Sequence, residues 1–275
     1  MGFFFKSGPE VTEYIIDTPK LKKGERHVFA VISDLHECCF GRGNKRLFKA
    51  LSLMEPEGIL IPGDLVDAYP DGDPKRTMAF LKRLKKVFPG ICYEPGNHER
   101  KIFERRKYFR QMVLLNRGLK MSGVSLMRNE YRDFGDAVRV YSLDLNHDYY
   151  RRVIKRRVPD GMIGMLLGKR DPARFNIMLA HDPDHFEEYS KWRPDLILSG
   201  HVHGGLIRLP KLGGLISPAY RLFPRYDAGL YERDGVKMIV SRGAGSHTIN
   251  LRINNDPEIL KVVLRGEENG TGSKA

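Results

Sequence analysis

Two histidines one residue apart, His201 and His203, stand among glycines in Gly200-His201-Val202-His203-Gly204-Gly205. The apolar run Leu196-Ile197-Leu198 comes just before them, so the pair lies where a buried strand opens into a loop. In an extended segment residues i and i+2 point the same way, and glycine leaves room for something to approach. Two neutral imidazoles aimed at one spot suit a transition-metal site better than a core. A His-x-His pair alone is not specific, so oxygen ligands must come from elsewhere in the chain.

They come at the ends of further short apolar runs. Val28-Phe29-Ala30-Val31-Ile32 leads into Asp34 and His36, and Gly58-Ile59-Leu60-Ile61 into Asp64. Ile91-Cys92-Tyr93 leads into Asn97, His98 and Glu99, and Phe175-Asn176-Ile177-Met178-Leu179 into His181 and Asp182. In α/β proteins, sites form beyond the carboxyl ends of strands.

Taken in order, Asp34-x-His36, Gly63-Asp64, Gly96-Asn97-His98-Glu99, His181 and Gly200-His201-x-His203 resemble the complete motif set of the calcineurin-like metallophosphoesterases. The motifs extend from Val28 to Gly205. Two further stretches, 204–210 and Ser241-Arg242-Gly243-Ala244-Gly245, are similar to a bacterial branch whose enzymes include UDP-2,3-diacylglucosamine pyrophosphatases. The resemblance implies a four-layer α/β/β/α sandwich with mixed central sheets. It implies two divalent ions, one held by Asp34, His36, Asp64 and His203, the other by Asp64, Asn97, His181 and His201. Asp64 would bridge them and offset their repulsion. Imidazole, carboxylate and amide without thiolate suit Mn, Fe or Zn, with Mn favoured, whereas so many nitrogens disfavour Mg.

The implied activity is hydrolysis of a phosphodiester or pyrophosphate bond by a metal-bridging hydroxide, on a lipid-linked or nucleotide substrate. His98 adjoins Asn97 but is not a ligand in the family pattern; it would protonate the leaving group or stabilise its developing charge. Arg100, beside His98, and Arg242 in the glycine-bearing turn are candidate substrate-binding cations. The rival enzymes are a nuclease or a cyclic-nucleotide phosphodiesterase. The rival of another class is a non-catalytic metal-binding scaffold, which the full ligand set disfavours.

At 275 residues, 41% hydrophobic and with 28 glycines, the chain can build a large core without disulfides. It reads as one domain over residues 1–266 with a disordered tail over 267–275. Cys38, Cys39 and Cys92 show no zinc or disulfide spacing and read as free thiols; the alternative places Cys38 or Cys39 close to the metals, since both closely follow Asp34-x-His36. No stretch reaches membrane-spanning length and no signal peptide is recognisable, so the expected location is cytoplasmic, or peripheral to a membrane. The net charge of +13 points to phosphate-rich partners: a nucleotide, nucleic acid or an anionic membrane surface.

Along the chain, residues 11–17 read as an early strand, and 45–54 and the segment after Pro74 as helices. Residues 99–115 read as one helix with a basic face. Residues 124–127 and 137–143 read as strands of a second sheet, completed by runs at 229–231, 236–241, 247–253 and 259–264. The basic stretch 149–157 reads as an amphipathic helix or a cap over an anionic substrate. Asp67 reads as a helix cap or exposed, with a supporting role at the site as the alternative, and His185 as a surface residue.

Overall fold

The computed structural model describes residues 4–5, 7–150, 156–205, 208–209, 213–214, 224–246 and 252–267. Two mixed sheets face each other. In the first, the spatial order is Glu10–Thr18, Glu258–Gly266, Arg26–Val31, Gly58–Pro62, Ile91–Glu94. The last three run parallel, linked by the helices Lys45–Met54 and Lys75–Val87. In the second, the order is Gly229–Arg233, Val236–Val240, Leu196–Ser199, Phe175–Leu179, Val138–Ser142, Glu130–Phe134, with the inner four parallel.

The apolar runs explain the layering. A strand buried on both faces sends successive side chains to opposite sides. Leu60 points between the sheets, whereas Ile59 and Ile61 point to the helices Lys45–Met54 and Lys75–Val87. Leu196 and Leu198 face the first sheet, whereas Ile197 meets Phe186 and Tyr189 of the helix Phe186–Trp192 on the far side. The result is the expected α/β/β/α sandwich. Cys92 lies in the inter-sheet core, where burial pushes its thiol up to about 12. Among the described residues, no helix is long and apolar enough to cross a membrane.

Three expectations about elements are corrected. Glu258–Gly266 does not complete the second sheet; it lies in the first, antiparallel to Arg26–Val31 and parallel to Glu10–Thr18. Residues 124–127 form no strand, although Met127 N–H donates to Tyr93 O at 2.8 Å. The basic helix breaks at Arg105 (φ −115°, ψ 121°) into Asn97–Glu104 and Phe109–Ser122. In a straight helix, six residues at 100° each would put Tyr108 about 120° round from Ile102. The break lets Ile102, Tyr108 and Leu115 reach the same core. Of the stretch 149–157, residues 151–155 lie outside the described residues, as do 247–251 of the expected strand 247–253.

Candidate metal centre

The candidate ligands sit on loops leaving the carboxyl ends of parallel strands of both sheets, which places them around one point. Their backbones are unusual. Asp34, His36, Asp64, His201 and His203 have φ of 51°, 47°, 56°, 71° and 52°. Left-handed backbone costs a non-glycine residue roughly 1–2 kcal/mol, so the surroundings must over-determine these loops. Close approach explains the neighbouring glycines. A Cβ on Gly200 would lie 2.2 Å from Asp34 Oδ2, and one on Gly96 would lie 2.3 Å from Asp64 Oδ1.

Two groups of donor atoms result. In the first, His203 Nε2 lies 3.5 Å from Asp34 Oδ1, and His36 Nε2 lies 4.0 Å from the same oxygen. In the second, His181 Nε2 lies 3.2 Å from Asp64 Oδ2 and 3.3 Å from Asn97 Oδ1. Asp64 Oδ2 also lies 4.0 Å from His36 Nε2, so this carboxylate stands between the groups. All seven candidate ligands are thus gathered, His201 being the most exposed of them.

The outer nitrogens fix the tautomers. His36 Nδ1 donates to Asp67 Oδ1 at 2.7 Å, His181 Nδ1 to Pro62 O at 2.8 Å and His203 Nδ1 to Gly245 O at 3.3 Å. Each bond leaves an Nε2 lone pair aimed inward, the arrangement that orients metal-binding imidazoles. His36 Nε2 and His203 Nε2 then face each other at 3.2 Å. Two lone pairs at that distance repel unless a cation or a proton lies between them. Asn97 makes the same point. Its inward amide atom lies 2.7 Å from His201 Nδ1, 3.2 Å from Asp64 Oδ2 and 3.3 Å from His181 Nε2, and its outward atom 3.3 Å from Lys101 Nζ. With NH2 inward the amide donates to the cluster and accepts from Lys101. With oxygen inward it adds a further acceptor, which a cation or a proton on His181 Nε2 satisfies. The donor set therefore fits divalent metal ions.

The titration behaviour agrees. Burial would raise Asp64, yet the His181 and His98 imidazoles hold it well below the usual carboxylate range. Burial raises Asp34. Burial would lower His181, but the Asp64 carboxylate pushes it well above the ordinary imidazole value, and Asp67 does the same to His36 more modestly. Protons on these rings offset negative charge where cations otherwise would.

His98 lies at the start of the helix Asn97–Glu104, its backbone N–H donating to Asp64 Oδ1 at 2.8 Å. Its Nδ1 accepts from Ala68 N–H at 3.0 Å, so the neutral ring carries its proton on Nε2.

A family model described as calcineurin-like phosphoesterase matches residues 27–205. The chain belongs to the calcineurin-like phosphoesterases. It is accordingly a phosphoester hydrolase, and its four-layer fold is the one expected of that family. It is 28% identical over 231 residues to the metallophosphoesterase YkuE of Bacillus subtilis, covering 80% of this chain and 72% of the relative. It is also 28% identical over 267 residues to an Aquifex aeolicus metallophosphoesterase, covering 94% and 93%. Phosphodiesterase YaeI of Escherichia coli is 28% identical over 211 residues, covering 76% and 71%.

Within this calcineurin-like centre, two candidate substrate cations are engaged elsewhere. Arg100 contacts the Asp144 carboxylate and Glu104 Oε1, the latter at 3.3 Å. Arg242 pairs with Glu10 at 2.8 Å and Glu258 at 3.2 Å. Cys38 is buried beside Ser246, whose N–H donates to its sulfur at 3.5 Å. Asp67, expected as a cap or exposed, is buried against His36, and His185, expected at the surface, is buried with Nε2 3.1 Å from Tyr149 O.

Supporting residues of this calcineurin-like centre escaped the sequence reading. Glu99 accepts from Asp64 N–H at 3.0 Å, Leu65 N–H at 2.9 Å, Gly96 N–H at 2.9 Å and Tyr93 O–H at 2.6 Å. Burial, then Asp64, pushes it up to about 7. Asn255 donates to His203 O at 2.7 Å and Gly205 O at 2.6 Å, holding the histidine loop. Arg252 donates to the Arg242, Gly243 and Gly245 carbonyls, holding the turn that closes over Asp34 and His203. The position of Glu99 inside a motif was one available signal; Asn255 and Arg252 offered none.

Proposed function

We propose that this chain hydrolyses a phosphodiester or pyrophosphate bond using two divalent ions held by Asp34, His36, Asp64, Asn97, His181, His201 and His203. The observation that carries the reading is the facing pair of Nε2 atoms, 3.2 Å apart, on His36 and His203, each ring anchored from behind by its Nδ1. Such ions, when bound, polarise phosphoryl oxygens and activate a water as nucleophile.

The protein's own residues then have distinct tasks. Asp64, placed between the two groups, would serve both ions, and Asp34 one. Asp67 and the Pro62 and Gly245 carbonyls keep the imidazole lone pairs directed inward. His98 keeps its proton on Nε2 because Ala68 N–H occupies Nδ1, and that proton goes to the leaving oxygen. The net charge of +13 draws an anionic substrate. Manganese is the favoured ion, on a thiolate-free set of four imidazoles and three oxygen ligands that also suits Fe or Zn. Cys38, Cys39 and Cys92 form no disulfide with one another, which supports a reducing, cytoplasmic setting.

The test is a panel of phosphomonoesters, diesters, cyclic nucleotides and nucleotide-linked pyrophosphates assayed with protein loaded with Mn, Fe or Zn, alongside elemental analysis. Turnover of diesters or pyrophosphates with two ions per chain is expected. Two bound ions with no turnover of any substrate would instead support the scaffold reading.

A further inference from the structure

Residues 105–129 contain seven basic side chains, Arg105, Arg106, Lys107, Arg110, Arg117, Lys120 and Arg128, and no Asp or Glu. The helix Phe109–Ser122 turns Gln111, Leu115 and Leu119 inward. Its opposite face presents Arg110, Val113, Arg117 and Lys120, with Phe109 beside them. Phe109 is 62% exposed and Val113 47%. At i and i+4 they are neighbours on the helix. The preceding Arg105, Arg106 and Lys107 are also exposed.

The inward side of the same helix, opposite this face, reaches the loop behind the metal centre. Gln111 donates to Asp67 O at 2.6 Å and accepts from Tyr69 N–H at 3.1 Å. Asp67 in turn holds His36, and Tyr69 is itself 43% exposed. Acidic groups near the face are few: Asp71 lies 3.9 Å from Arg110, both well exposed, and Glu104 bonds Arg100 at the end of the preceding helix.

We propose that the face carrying Arg106, Phe109, Arg110, Val113 and Arg117 docks on an anionic lipid bilayer. Two chemistries are needed to cover it. The cations call for a dense array of negative groups, and the adjacent Phe109 and Val113 call for hydrocarbon. A bilayer of anionic lipid supplies headgroups at one depth and acyl chain just below. Nucleic acid supplies the anions and a stacking partner for Phe109, but nothing for Val113. Docking there holds the domain at the bilayer surface, where a membrane-borne phosphoester is the natural substrate class. That last step rests on the proposed hydrolytic function; the docking itself does not.

The experiment is co-sedimentation of the full chain with vesicles of phosphatidylcholine alone or mixed with phosphatidylglycerol, at low and physiological salt. Binding only to the anionic vesicles is expected, weakened by salt. Arg106→Gln and Arg110→Gln should each weaken it about fivefold, equivalent to about 1 kcal/mol per cation. Phe109→Ser with Val113→Ser should weaken it roughly tenfold or more without changing the salt dependence. All variants should keep their melting temperature and their turnover of a soluble nitrophenyl phosphodiester, which separates failure of docking from failure of the hydrolytic reading. Absence of binding to anionic vesicles at low salt would overturn the proposal. So would binding unaffected by these substitutions, or tight binding to DNA in place of vesicles.

Discussion

Asp67 Oδ1 accepts a hydrogen bond from His36 Nδ1 over 2.7 Å, both side chains being buried. The bond fixes which nitrogen of His36 points into the cluster and holds the ring plane. Removing such a partner typically weakens metal binding about 10–100-fold. Asp67→Ala should therefore lose affinity for the ion that His36 would hold by that factor, read by metal titration, while the fold persists. Unchanged affinity would deny Asp67 its orienting role.

Asp64 and Asp34 should differ in consequence. Asp64 Oδ2 lies 4.0 Å from His36 Nε2 and 3.2 Å from His181 Nε2, between the two groups, whereas Asp34 contacts the first group. Asp64→Ala should lose both ions and Asp34→Ala chiefly one. Elemental analysis after reconstitution decides, and equal stoichiometry in the two variants would count against the bridge.

Metal affinity should rise with pH. Burial disfavours charge on His181 and His36, but Asp64 raises the first well above the ordinary value and Asp67 raises the second. Each ring must lose its inward proton to bind an ion, so binding releases protons and weakens as pH falls. In the metal-free fold the raised His181 value contributes stability below about pH 6.5 that is lost as pH rises through its folded value. The depressed Asp64 value works the other way, contributing above about pH 3.9 and failing as pH falls through the folded value. Titrations between pH 6 and 8 in buffers of different ionisation enthalpy test the coupling; affinity and proton release that ignore pH would refute it.

Glu99 is a structural keystone of the Asp64 loop. Among the described residues its hydrogen-bond partners are all donors: Asp64, Leu65, Val66 and Gly96 N–H groups and the Tyr93 hydroxyl. Glu99→Gln turns an NH2 toward donors on one side. A buried unsatisfied donor costs about 1–3 kcal/mol, so a loss of about 2 kcal/mol or more is expected in urea unfolding of the metal-free protein. An unchanged midpoint would show that the loop is held by other contacts.

The strand ends were readable because apolar runs broken by Asp, Asn or His are a local pattern, and the structure places a ligand loop after each. The helix Lys45–Met54 was readable for the same reason, since its periodicity lies within its own ten residues. What was not readable depends on distant partners. Asp67 looked exposed because His36, which buries it, lies 31 residues away. The apolar run Ile259 to Leu264 marks a strand but not which sheet accepts it. Arg252 and Asn255 hold loops 7–10 and 50–52 residues away through carbonyl oxygens, and carbonyls leave no mark in sequence.

His98 supplies the sharpest test of the chemistry. Ala68 N–H occupies its Nδ1 at 3.0 Å, so a proton on Nε2 is the only one the neutral ring can donate. If that proton goes to the leaving oxygen, His98→Ala should keep both ions yet lose about 10²–10⁴-fold in kcat. The loss should be largest for an alkoxide leaving group, which needs a proton, and smallest for p-nitrophenolate, which does not. The measurement is kcat of wild type and variant on two diesters that differ in leaving-group pKa, with metal content checked in parallel. An equal drop on both diesters would leave His98 only an electrostatic role. Loss of metal would make it part of the coordination shell instead.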